Sequence, residues 1–249
     1  MYASRRVHAP AYFFAAGFVA EVIATMAGFG SSTLLMPVAT LLFTFPTALL
    51  LVGVFHVAGS GSRVVFFRHG LVRRVLLGFG IPSLALTLLG ALLVRSTPEP
   101  TLKGLLGLFL MAYAAISLKQ SLRLRPTLGA MAAGGAVSGF LAGLIGTGGA
   151  LRGAFLSAFR MPRDEYLANA AAIAFAVDLT RLPVYFGQGF SRSVPWTYYP
   201  LLVGIAWLGA FVGRRLVARI AQEPFRRVVF ALLLLTGLVF TIRWIQGAA

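Results

Sequence analysis

Six ionisable side chains sit inside long apolar runs of this sequence: Glu21, His56, Arg63, Arg152, Asp178 and Arg181. A charge placed in hydrocarbon costs about 3 kcal/mol on insertion scales, so such residues are kept for a partner, a substrate or a proton. Two runs are also broken by glycine, at Gly28-Phe29-Gly30-Ser31-Ser32 and at Gly146-Thr147-Gly148-Gly149. A helix that starts just after a break presents unpaired backbone N–H groups and a partial positive charge. Ser31, Ser32 and Thr147 add hydroxyl donors. Two such ends at one depth make an anion site without a permanent cation. Gly28 and Gly146 open the two breaks, and Gly30, Gly148 and Gly149 allow the backbone to approach a sulfonate or carboxylate closely.

Each side chain carries alternative readings. Arg152 falls in the first turn after Gly149, where a cation is locally unfavourable and calls for a compensating anion. That anion is either a substrate or a structural partner, Glu21 or Asp178; the third reading is snorkelling. Asp178 and Arg181 are i, i+3 on one helix face. They form either a fixed ion pair or one that opens during transport. Arg63 and Arg181 lie near segment ends, so snorkelling applies to them as well. His56 is central in its segment and is either a polar contact between helices or a proton-coupling group. Glu21 either binds a proton or partners an arginine. Asn169 donates either to an anion or to neighbouring backbone. Substrate binding thus involves Gly28, Gly30, Ser31, Ser32, Gly146, Thr147, Gly148, Gly149, Arg152 and Asn169, and gating or coupling Glu21, His56, Arg63, Asp178 and Arg181. Tyr185, Tyr198, Tyr199, Trp196 and Trp207 read as interfacial belt or core.

The elements that position these residues follow from composition. The chain has 249 residues, of which 59% are hydrophobic and 11% charged, where a soluble domain carries about a quarter charged residues. Its main solvent is therefore lipid. Ten apolar segments are predicted, at 10–27, 31–45, 47–67, 73–95, 101–118, 128–145, 149–161, 165–187, 195–219 and 225–245. Gly, Pro and Arg punctuate them. The segments 31–45 and 149–161 reach only roughly 20 Å as helices, so they are expected to cross half the bilayer or to form re-entrant hairpins. Lys and Arg concentrate after alternate segments, as at Arg68, Arg73, Arg74, Arg214 and Arg215. The positive-inside rule puts those loops and the central linker in the cytoplasm, with both termini outside. The expected location is the cell (inner) membrane, multi-pass. The basic Met1–Pro10 stretch imitates a signal peptide, but no polar domain follows it, so 10–27 reads as a retained membrane segment.

The two halves resemble each other at an offset near 118 residues. Gly17 to Ser31 lies over Gly135 to Gly149, Phe45-Pro46 over Met161-Pro162, and Arg63 over Arg181. The expected organisation is a first membrane repeat at 10–118, a linker at 119–127 and a second repeat at 128–246. An odd number of crossings per half inverts the second copy. The expected fold is an all-α polytopic membrane protein of two inverted repeats, about five helical segments each. Its glycine-broken short helices or re-entrant hairpins meet near the midplane, as in secondary transporters.

At these residues the chain resembles the sulfite exporter TauE/SafE family, also called the TSUP family of anion transporters. The second-half motif Gly139-x-x-x-Gly143-x-x-Gly146-Thr147-Gly148-Gly149 carries the likeness, which extends over roughly residues 12–245. The first motif departs from the pattern, with Ser31 and Ser32 where glycines are usual. In the second half Asn169-Ala170 stand where Thr-Ser is usual, and Asp178 and Arg181 where small or hydroxyl residues are. The resemblance implies transport of a small organic or sulfur-containing anion, such as a sulfonate, sulfoacetate or sulfite, by alternating access. Coupling to protons or to sodium is left open, as is the oligomeric state.

Other classes lack their chemistry. There is no cysteine, and His8, His56 and His69 are scattered, so no metal site is expected. No Gly-x-Ser-x-Gly, His-Glu-x-x-His or Walker sequence is present, so an enzyme is not expected. The net charge of +16 is spread in short loop bursts, which argues against nucleic acid. No cofactor is expected; the partners are a small anion and the lipid bilayer. The alternative function is a non-transporting membrane subunit or assembly factor.

Overall fold

The computed structural model describes residues 2–27, 30–118, 124–216 and 222–247. Among them the chain forms ten helices and no strand. These are α1 (Tyr2–Ala27), α2 (Ser32–Leu42), α3 (Phe45–Phe67), α4 (Arg73–Ser96), α5 (Glu99–Leu118), α6 (Leu128–Ile145), α7 (Gly149–Ala158), α8 (Arg163–Gly187), α9 (Tyr198–Leu216) and α10 (Gln222–Ile245). Helices α3, α4, α5, α6 and α8 are long and apolar enough to cross a membrane. The chain is thus an all-α polytopic membrane protein.

Boundaries follow local chemistry. Pro46 sits in the first turn of α3 rather than between segments, where its missing N–H costs nothing. That helix therefore begins at Phe45. Its first turn is tied to α5, where the Glu99 carboxylate accepts from Phe45 N at 3.2 Å and pairs with Lys103 at 3.1 Å. The Thr127 hydroxyl caps α6 by accepting from Ala130 N. Gly146 ends the same helix in the left-handed region at φ 78°. The short helices are as brief as expected: α2 has 11 residues and α7 has 10, about 15 Å of rise each. One feature was not expected. Helix α4 carries a π-helical stretch at Leu76–Gly80, a widened turn that re-aims the residues after it.

Helix pairing exchanges between the halves. Helix α1 packs on α9 and α6 on α4; α3 packs on α9 and α8 on α4; α3 meets α8, and α5 meets α10. Replacing each helix by the one five places later leaves this set unchanged. Helix α3 lies at the centre: 72% of its apolar window is buried, against 39% for α4 and α5. Outward faces carry large apolar side chains, including Leu92, Leu201, Leu208, Phe211 and Leu235, as lipid contact requires.

The α4–α6 contact shows why the second half is so rich in glycine. A Cβ on Gly135, Gly139 or Gly143 would run into the carbonyls of Phe79, Ser83 or Thr87, respectively. The approach lets the Ser83 hydroxyl donate to Gly135 O and the Thr87 hydroxyl to Gly139 O, both at 3.0 Å. This is small-residue packing with interhelical hydrogen bonds. Gly139 and Gly143, part of the motif that carries the family likeness, are accounted for here by packing.

Candidate functional site

The two breaks come together. The Thr147 hydroxyl, in the second break, donates to the hydroxyl of Thr33 in the first turn of α2, at 3.0 Å. Helix α2 packs on α7. Ser31, Ser32, Thr33, Thr147 and Arg152 are all buried. Gly28 and Phe29 lie outside the described residues, as do 119–123 of the linker.

Each break frees backbone donors. In α2, Leu34 N and Leu35 N bond back to Ser31 O, which leaves the N–H groups of Ser32 and Thr33 without an intrahelical acceptor. In α7, Arg152 N is the first to bond back, to Gly148 O at 2.9 Å, which leaves those of Gly149, Ala150 and Leu151. The hydroxyl of Ser31 is buried and has no hydrogen-bond partner. Gly30, with φ 89°, leads into α2. The breaks are closed by the protein itself rather than opened to a ligand at every glycine. A Cβ on Gly148 would meet the Ser138 carbonyl and, at 2.8 Å, Ala142 Cβ; one on Gly146 would meet Leu49 and Met36. These two glycines are required for the chain to fold back and pack.

The buried charges pair differently from several of the sequence readings. Glu21 on α1 is fully buried and forms an ion pair with Arg63 on α3; the Thr25 hydroxyl also points to it, at 3.5 Å. Gly59 and Gly209 make room for this carboxylate, since a Cβ on either would strike Glu21. Arg63 therefore does not snorkel. Nor does Arg181, which is 1% exposed. Its Nε and Nη2 both donate to Asp178 Oδ1, at 2.9 and 2.7 Å, and its Nη1 donates to Ala142 O at 2.7 Å. The Tyr185 hydroxyl, one turn on, donates to Gly143 O. Arg181 and Tyr185 thus satisfy two of the carbonyls that the end of α6 leaves unpaired. Reading Tyr185 as core by composition missed this; its i+4 spacing from Arg181 was the available signal.

With Glu21 held by Arg63 and Asp178 by Arg181, the structural-partner reading of Arg152 loses both of its acids. Arg152 is 4% exposed. Among the described residues it makes no ion pair, and its Nε has no hydrogen-bond partner. Asp178 and Tyr166 lie within its electrostatic range. The two carboxylates balance Arg63 and Arg181, so Arg152 is one surplus positive charge in the buried cluster.

His56 on α3 joins this cluster. Its Nδ1 lies 2.7 Å from Asp178 Oδ2, while Nε2 is buried and without a partner. Asn169 is placed elsewhere. Its amide accepts from Val72 N and donates to Gly70 O and Glu165 O, at 2.7 to 3.0 Å. It clamps the α3–α4 loop to the start of α8, and neither of its N–H groups is left for an anion. Of its two sequence readings, the backbone one describes its position.

What the arrangement offers is a buried cluster of hydroxyls, helix N-termini and a guanidinium that, among the described residues, has no ion pair. Such a cluster suits a small oxyanion. No curated protein and no solved structure matches the chain. A model of the sulfite exporter TauE/SafE family matches residues 13–240. With a match over most of its length, the chain belongs to the sulfite exporter TauE/SafE family of membrane anion transporters.

Proposed function

We propose that this protein is a secondary transporter of a small organic or sulfur-containing anion, a sulfonate, sulfoacetate, sulfite or similar, that works by alternating access. The anion sits where the two breaks meet. The observation that carries this reading is the buried guanidinium of Arg152 without an ion pair, placed in the first turn of α7. Ionised groups are not kept in a low-dielectric interior without a counter-charge, and among the described residues no carboxylate pairs with this one. Ser31, Ser32 and the freed N–H groups of α2 supply the opposite wall. The residues that bind substrate in this reading are Gly30, Ser31, Ser32, Thr147, Gly149 and Arg152.

The self-mapping helix pairs support two repeats, at 10–118 and 128–246, and an odd number of crossings in each gives them opposite orientation. Loop arginines support a cytoplasmic linker and external termini in the cell (inner) membrane. Alternating access then moves one repeat's helices against the other's around the fixed site.

The test is flux. Purified protein in proteoliposomes should accumulate or exchange labelled sulfite or organosulfonate, and Arg152→Gln should abolish that while remaining monodisperse. A folded wild-type protein that moves none of these anions would instead indicate a membrane subunit or assembly factor.

A further inference from the structure

His56 is tied on one side only. Asp178 Oδ2 faces Nδ1 at 2.7 Å; a carboxylate accepts, so it fixes the neutral ring as the Nδ1–H tautomer. That leaves a bare lone pair at Nε2, buried and unpartnered. The lone pair lies against the first break: a Cβ on Gly30 would stand 2.8 Å from Nε2, and Gly30 leads directly into Ser31 and α2. An acceptor lone pair beside an anion site repels its occupant, whereas a protonated Nε2 is a donor and attracts it. Anion and proton therefore favour each other at this place, with the same coupling in both directions.

The charges around the ring fit that role. From α8, Asp178 Oδ2 is placed to hold the ring once it is protonated, with Arg181 neutralising the carboxylate's other oxygen. From α3 itself Arg63, and from α7 Arg152, lie within electrostatic range. Arg63 is balanced by Glu21 of α1. Helix α2 carries no ionisable residue between Ser32 and Leu42. On α9, Arg214 stacks on Phe66, near the far end of α3, and on α5, Glu99 and Lys103 pair beside Phe45, at the opposite end. The cluster's own surplus charge thus sits on Arg152, and a proton on His56 accumulates only when an anion offsets it.

We infer that His56 is the coupling site of this transporter, binding one proton at Nε2 together with the anion and releasing both on the other side of the membrane. The inference rests on the anion-transport reading above and adds the coupling ion to it.

The test uses proteoliposomes of the full-length protein with labelled isethionate or methanesulfonate, anions that stay ionised through the neutral range, and a trapped pH dye. In the wild type an inward proton gradient should drive uphill anion accumulation, with protons entering alongside; a sodium gradient should not. Flux without a gradient should fall as pH rises and His56 loses its proton. His56→Gln should abolish gradient-driven accumulation, and any residual flux should be flat with pH. Should that variant fail to fold, the wild type alone decides, through the ratio of protons to anions that enter, expected to be one to one. Wild-type flux indifferent to the proton gradient, or His56→Gln still driven by it, overturns the inference and leaves anion transport standing. No flux of either anion in the wild type overturns both.

Discussion

The first break is lined by neutral donors, Ser31, Ser32 and Thr33, and the charges beside it, Glu21 and Arg63, neutralise each other. The second carries Arg152, which among the described residues has no ion pair. At the offset of 118 the counterpart of Arg152 is Leu34. The arginines that do correspond, Arg63 and Arg181, have also diverged. Arg63 reaches across to a carboxylate on α1, whereas Arg181 pairs within its own helix and caps α6. The helix pairs map onto each other; the buried charges do not. In the proposed two-repeat reading, the two helix ends meet through Thr33 and Thr147, and only the second carries a charge. Fixed pairs then hold the fold, and the unpaired cation and the half-satisfied histidine do the transport.

That contrast is broken most severely at Glu21. Glu21→Ala strands Arg63 in the interior and should cost about 3–5 kcal/mol, read as a large fall in thermal unfolding temperature in detergent. Changing both Glu21 and Arg63 to methionine should recover most of it. Arg152 should behave oppositely. Arg152→Leu removes an uncompensated buried charge and should raise stability by about 2 kcal/mol without substrate; destabilisation comparable to Glu21→Ala would make Arg152 a structural residue. Gly30→Ala forces a left-handed residue to carry a Cβ against His56 and should cost about 1–2 kcal/mol, with an altered pH dependence of flux. The smallest expected effect is at Tyr185: Tyr185→Phe leaves Gly143 O unmet, at about 1 kcal/mol, and should leave anion affinity unchanged.

Much of this was legible in the sequence, for physical reasons. Glycine, proline and length mark α2 and α7 as short, because a helix of 10 or 11 residues cannot cross hydrocarbon. Ionisable residues in apolar runs announce burial whatever their partners. The partners themselves were not legible. Glu21 and Arg63 are 42 residues apart and Thr33 and Thr147 are 114 apart, and helical periodicity says which face a residue occupies, not what lies against it. For that reason Arg63 and Arg181 allowed a snorkelling reading, and Arg152 was offered acids that other arginines hold. Asn169 allowed a ligand reading because nothing local shows the α3–α4 loop folding onto α8. Gly139 and Gly143 belong to a motif next to the site, yet it is the backbone of α4 that demands them.

In the proposed mechanism Arg152 keeps its charge for a substrate. Its most direct test is titration of the purified wild type and of Arg152→Gln with sulfite and with an organosulfonate, monitored by calorimetry and by the shift in unfolding temperature. The wild type should bind saturably, and the variant, still folded, should lose about 10- to 100-fold in affinity, equivalent to about 1.4–2.8 kcal/mol. Equal affinity in the two proteins would contradict it.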